Sequence, residues 1–267
     1  MGRISDMVSK AKMKGYSDAD AQAKVCQDII LEGIGRSSLS RNATIKGGVV
    51  MRSLSDNVRR ATQDMDIDFI RYSLADESIE RFISKVNCID GLSIHRTGPI
   101  EELKQQDYHG KRVYITISDE SGDTVSSKID VGIHKNMEIE QEEYCFDIAS
   151  FEDSVNLLIN TKEQMFTEKL RSLLKFGTFS TRYKDIFDMC YLADALDKDT
   201  LLKNLDVYIF NDSGMRENSI SDVVHRAEKI FMNKTYLQRL SSSNKNWLGI
   251  EPEKAANKLL EFLHSLH

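Results

Sequence analysis

Three aspartates, Asp64, Asp66 and Asp68, lie two residues apart in the run Gln63-Asp64-Met65-Asp66-Ile67-Asp68-Phe69. On a strand this spacing sends the carboxylates to one face and Met65, Ile67 and Phe69 to the other. Three carboxylates on one face repel one another unless cations sit between them. As hard oxygen ligands they suit Mg²⁺ or Mn²⁺. A solvated strand face is the bland alternative, but aspartate is a poor strand former, so its alternation calls for a reason. Asp130, in Lys128-Ile129-Asp130-Val131, repeats the alternation. Two-metal phosphoryl-transfer sites commonly draw three carboxylates from adjacent strands, which makes Asp130 the candidate third. Taken alone, a single strand aspartate is often just exposed.

A glycine pair, Gly47-Gly48, precedes the acidic run by a helix's length. Two glycines between a strand and a helix let backbone N–H groups approach a phosphate, and the helix N-terminus adds a favourable field. A lone Gly-Gly is more simply a tight turn. Followed by paired acids, it is what a triphosphate-plus-metal site needs. Arg59 and Arg60 stand just before the acidic run and could neutralise phosphate. Either alone reads as a solvated helix end. Further on, Glu163, Glu168, Lys169, Arg171 and Lys175 share one helical stretch, and Arg182, Lys184, Asp185 and Asp188 another. Lys184 and Asp188 are spaced to pair on one helix face, so a salt-bridged solvated helix is the plain reading of that stretch.

The elements that must position these residues follow from periodicity. A helix is predicted over 17–33, with Ser17 as N-cap, and a short strand over 43–46. A helix follows the glycines over 49–57, then the acidic strand at 65–69 and a helix over 79–86. Strands at 112–118 and 125–133 join through Ser121-Gly122-Asp123, which has hairpin chemistry. Beyond about residue 150 the predicted elements are helical, over 163–175, 183–195, 200–209, 220–232 and 251–266. Linkers such as 241–246 are polar. The fold class is α+β: an α/β front lobe over 1–150, a mixed sheet flanked by helices, then an α-helical lobe over 151–267. Substrates are expected in the cleft between them.

The chain has 267 residues and net charge -6, which argues against a surface basic throughout. Residues 162–184 are the exception, with six Lys/Arg against two Glu. The four cysteines, Cys26, Cys88, Cys145 and Cys190, show no CxxC pair and read as reduced and mostly packed. No signal-peptide core or membrane-length apolar run is present, so a cytoplasmic protein is expected.

Together, IKGGVVMRSL, RATQDMDIDF, KID, TEKLRSLL and RYKDIFDM resemble the AbiEii/AbiGii toxin family of the DNA polymerase β-like nucleotidyltransferase superfamily. The resemblance spans roughly residues 45 to 190. It narrows to this family on the Arg-x-Lys-Asp-x-x-Asp signature downstream of the Glu-Lys-Leu helix. It implies a toxin of a toxin–antitoxin or abortive-infection phage-defence system that moves a nucleotide from an NTP to an acceptor. The metal pair falls on Asp64 and Asp66 and the third carboxylate on Asp130, with Asp68 just outside the pair. Lys46, Gly47, Gly48, Arg60, Thr62, Lys169 and Arg182 would contact the nucleotide. Asp185 would act with Lys169, as a base or as its anchor. Some members carry serine where this chain has Gly48, so that contact would come from backbone here. The implied cofactor is Mg²⁺ or Mn²⁺. The implied partners are an RNA acceptor, the 3′ end of tRNA, and a cognate antitoxin protein. Two other classes compete: a non-catalytic nucleotide- or antitoxin-binding module of the same fold, and a metal-dependent nuclease. The nuclease lacks any His–Asp cluster.

Overall fold

The computed structural model describes residues 2–103, 110–148, 151 and 154–266. The chain divides into two compact units, Met1–Asn160 and Thr161–His267. The first unit contains α1 (Arg3–Met13), α2 (Asp18–Arg36), β1 (Ala43–Lys46), α3 (Gly47–Ser55), β2 (Asp64–Phe69) and α4 (Asp76–Val86). It continues with β3 (Leu92–Arg96), β4 (Glu101–Glu102), β5 (Lys111–Asp119), β6 (Thr124–Ile133), β7 (Glu142–Phe146) and β8 (Val155–Ile159). These strands form one mixed sheet in the order β3-β5-β6-β2-β1-β8-β7, with β4 against β5. β2 runs parallel to β6 and β1 parallel to β8, and the remaining pairs are antiparallel.

The sheet has one apolar face. Ile45, Met65, Ile67, Val113, Ile129 and Val131 are each at most 2% exposed. α2 packs over β6 and β8, and α4 over β3. Each such side chain contributes roughly 1.5–3 kcal/mol of transfer free energy, so this face fixes which way the alternating strands point. α2 starts at a Ser17 cap that accepts from the Asp20 N–H, and it is buried from Val25 through Ile34. A stripe alone would leave one face wet. Here α1 packs on α2 as well.

Several elements differ from the sequence expectation. α1 was not anticipated, because only Ile4, Met7 and Ala11 mark its buried side. The boundary expected at residue 150 falls on residues outside the described set, and the division lies after Asn160. β8 is the reason: Val-Asn-Leu-Leu-Ile joins the sheet beside β1. A short apolar run of this kind reads equally as helix or strand by periodicity. α3 begins at the glycines themselves, with Lys46 at its N-cap.

The second unit is helical: α5 (Lys162–Phe176), α6 (Tyr183–Leu192), α7 (Lys198–Leu205), α8 (Ile220–Phe231), α9 (Lys234–Ser242) and α10 (Pro252–His264). A five-residue π turn, Asp206–Phe210, extends α7. α9 covers the start of the segment read as a linker. No helix among the described residues is long and apolar enough to cross a membrane. All four cysteines are free. Cys26 and Cys190 are buried, while Cys88 and Cys145 are exposed rather than packed.

Candidate active site

The polar face of the first unit's sheet gathers the predicted acids. β2 registers Asp66 opposite Asp130 of β6 on one side and opposite Lys46 of β1 on the other. Asp64 lies opposite Lys128 and Asp68 opposite Gly132. Residues in register share a face, so strand pairing alone brings the carboxylates together. Three of the four acids have a basic partner. Lys128 Nζ is 3.1 Å from Asp64, and Lys46 Nζ donates to Asp68 at 2.8 Å. Arg112 donates to both oxygens of Asp130 through Nε and Nη2, each at 2.8 Å. Asp66 has no ion pair among the described residues. Loss of solvation pushes its carboxyl up to about 6. Lys46 pulls the other way, and the charges of Asp130, Asp68 and Asp64 add to the rise. The Asp66 oxygens are hard donors of the kind that Mg²⁺ and Mn²⁺ take.

Asp68 is 5% exposed and its second oxygen, Oδ1, is buried without a hydrogen bond. It is thus part of the interior that holds Lys46. Arg112 was not anticipated as a member of the site. Its fork occupies the carboxylate expected to be the third metal ligand, and this bidentate pair is the strong form of an ion pair. Among the described residues, no three carboxylate, histidine or cysteine side chains stand close enough to grip one ion as they are.

The glycine pair is shaped by the acids and by Thr62. Gly47 has φ +63°, a conformation that side chains strain to adopt, and a Cβ there would lie 2.3 Å from Asp66 Oδ2. A Cβ on Gly48 would lie 2.4 Å from Thr62 Oγ1. That contact explains glycine, rather than serine, at this position. Gly47→Ala is expected to lower stability by about 1–2 kcal/mol, since it combines positive φ with a clash. Urea denaturation against the wild type checks this, and an unchanged midpoint would contradict it.

A buried polar network supports the turn from behind. Arg52 of α3 pairs with Asp28 of α2 at 2.9 Å and donates to the Gln27 amide. Gln27 in turn donates to the Thr62 carbonyl at 3.0 Å and reaches the Asp64 carbonyl at 3.4 Å. Gln27, Asp28 and Arg52 are each at most 5% exposed. The network ties the backbone that enters β2 to two helices. Its sequence signal was polar residues inside an otherwise apolar helix. Arg60 lies on a short 3₁₀ turn and is buried, whereas Arg59 is exposed as a solvated end would be.

In the second unit, Thr161 caps α5 by accepting from the Gln164 N–H. About two turns on from that cap, Lys169 Nζ lies 2.8 Å from Asp185 and 2.9 Å from Asp188, both on α6. Asp185 therefore holds the lysine. Asp188 is fully buried and also accepts from Trp247 Nε1 at 2.9 Å. The solvated-helix reading of this stretch fails: Ile186 through Cys190 are all buried. Arg182 sits exposed at the N-cap of α6.

A family model described as "Nucleotidyl transferase AbiEii toxin, Type IV TA system" matches residues 29–243. The chain belongs to this AbiEii family. A search of the curated proteins finds no match. Among solved structures, the chain is similar to an antigenic nucleotidyltransferase-like protein from Paracoccidioides brasiliensis. The identity is 14% and the TM-score 0.45, over 83% of this chain and 93% of that one.

Within the AbiEii match, the structure brings Lys46, Gly47, Asp64, Asp66, Asp68 and Asp130 onto one sheet face and its adjoining turn, with Thr62 against Gly48. Lys169, Asp185 and Asp188 form a separate cluster in the helical unit. Arg112 and Trp247 are the partners that sequence reading of this AbiEii chain missed. Arg112 had a usable signal: counting back from the Ser121-Gly122 turn sets it opposite Asp130. Trp247 lies outside every motif, although a buried indole N–H always needs an acceptor.

Proposed function

We propose that this AbiEii-family nucleotidyltransferase toxin is metal-dependent and transfers a nucleoside monophosphate from an NTP to an RNA acceptor, the 3′ end of tRNA. The observation that carries the metal reading is Asp66, desolvated, without an ion pair among the described residues, and set against the glycine turn. Asp64, Asp66 and Asp130 would hold Mg²⁺ or Mn²⁺, which when bound acidifies the acceptor hydroxyl and neutralises the leaving pyrophosphate.

The chain's own groups do the positioning. The N-terminus of α3, opened by Gly47 and Gly48, offers backbone N–H donors to the triphosphate. The Gln27–Arg52 network keeps that turn and the start of β2 in fixed relation, and Thr62 packs against Gly48. Lys46 and Arg60 supply positive charge on the same unit. In the helical unit, Asp185 and Asp188 hold the Lys169 ammonium as a fixed point charge for phosphate, with Arg182 exposed nearby in sequence. A cognate antitoxin restrains the activity, as membership of a type IV system supports, and the action on tRNA serves phage defence.

The Arg112 grip on Asp130 is the one feature that favours a nucleotide-binding module without turnover. Incubation with each labelled NTP, Mg²⁺ and total RNA separates the readings. Label on RNA is expected. Shortened RNA would mark a nuclease, and unchanged RNA and NTP a binding module.

A further inference from the structure

The connector from α5 to α6 is unusual in two respects. Residues 169–184, from the second half of α5 to the start of α6, carry five Lys/Arg and no Asp or Glu. Lys169 is held by Asp185 and Asp188 and Arg171 by Asp212, so the cations that flank the turn are Lys175 and Arg182. Phe176 and Phe179, at 49% and 84% exposed, are the only exposed aromatic side chains among the described residues. Every other described Phe, Tyr or Trp is buried or half-buried. Single exposed apolar residues are ordinary, but two large rings three residues apart on one short turn are not.

The turn is also held in shape. Gly177 has φ +54° and ends α5, and the Arg226 guanidinium lies against it, 2.7 Å from where a Cβ would stand. Arg226 Nε also reaches the Leu174 carbonyl at 3.5 Å, and Arg239 donates to the Thr178 carbonyl. The Ser180 N–H closes the turn on the Gly177 carbonyl at 3.0 Å. Both arginines fix the backbone that presents the rings. Lys175 and Arg182 flank the pair and are exposed.

We propose that Phe176 and Phe179 form a stacking platform for unpaired bases of a single-stranded RNA, with Lys175 and Arg182 on its phosphates. Aromatic faces accept any base, and flanking cations follow the backbone, which is how sequence-tolerant single-strand binding is built. This names the surface that receives the acceptor and rests on the RNA reading above. A protein partner would be served by exposed apolar area without the flanking exposed cations Lys175 and Arg182.

The test uses the full chain and a labelled unstructured RNA of about ten nucleotides, followed by fluorescence anisotropy. Phe179→Leu keeps apolar bulk but loses the π face. It is expected to weaken binding about 10-fold, and Phe176→Leu/Phe179→Leu further, given roughly 1–3 kcal/mol per stacked base. Phe179→Trp should restore affinity. Wild-type binding should also fall as KCl rises. Thermal shift with Mg²⁺ and an NTP is measured on every variant and should match the wild type. Leucine variants that bind RNA as the wild type does would overturn the platform, and so would variants that lose a co-expressed antitoxin but keep RNA. A wild type that responds to Mg²⁺–NTP but binds no RNA would overturn the platform alone. One that responds to neither would overturn the transferase reading with it.

Discussion

Asp66→Asn is expected to abolish nucleotidyl transfer, by at least about 10³-fold, and at the same time to stabilise the metal-free protein. The two effects share a cause. Asp66 is charged above pH 6 at the expense of lost solvation and of repulsion from Asp130, Asp68 and Asp64, only partly offset by Lys46. Its carboxyl shifts from 3.8 to about 6, which corresponds to roughly 2–3 kcal/mol against the folded state at neutral pH. A raised carboxyl pKa means the folded state binds the extra proton. The penalty is therefore absent below the ordinary value of 3.8, grows between there and about 6, and is complete above 6. In chelator, Asp66→Asn should exceed the wild type in urea midpoint at pH 7.5. The margin should shrink as pH falls towards 4. A variant less stable than wild type at pH 7.5 would show that Asp66 is not held in this unfavourable state.

Asp188→Ala is expected to destabilise the helical unit by about 3–5 kcal/mol, a fall of ten degrees or more in Tm. Asp188 is fully buried, pairs with Lys169 at 2.9 Å and accepts from Trp247 Nε1 at 2.9 Å. Its removal leaves an indole donor with one acceptor fewer and takes one carboxylate away from Lys169. Breaking a buried pair from one side costs far more than an exposed pair is worth. Asp188→Asn keeps an acceptor for the indole and should fall between. Trp247 is the only tryptophan in the chain, so its emission reports the site directly. A red shift is expected for Asp188→Ala under conditions where the wild type is native. Equal melting of the two proteins with unchanged emission would mean that Asp188 is not part of the unit's core.

The parts of this fold legible in the sequence are those with local signals. The strand 43–46 and the helices near 163–175 and 220–232 match the observed elements closely, because each carries a clean period or a cap. The one-face placement of Asp64, Asp66 and Asp68 follows from strand alternation alone. What stayed hidden depends on pairing across distance. Nothing local in Val-Asn-Leu-Leu-Ile says that it lies beside β1. The Gln27 contact with the Thr62 carbonyl spans 35 residues and the Asp188 contact with Trp247 spans 59. Asp188 was read as a surface charge because helical spacing to Lys184 offered a local partner. Burial on α6 gave it Lys169 and Trp247 instead. Arg112 was hidden less deeply, since the hairpin turn already fixed its register.

The most direct measurement is Mn²⁺ binding in the presence of an NTP analogue that cannot be turned over, followed by electron paramagnetic resonance for wild type and Asp66→Asn. If the acidic strand beside the glycine turn holds the ion, the wild type binds Mn²⁺ with the analogue and the variant, though folded, does not. Equal Mn²⁺ binding by the two proteins would contradict the assignment.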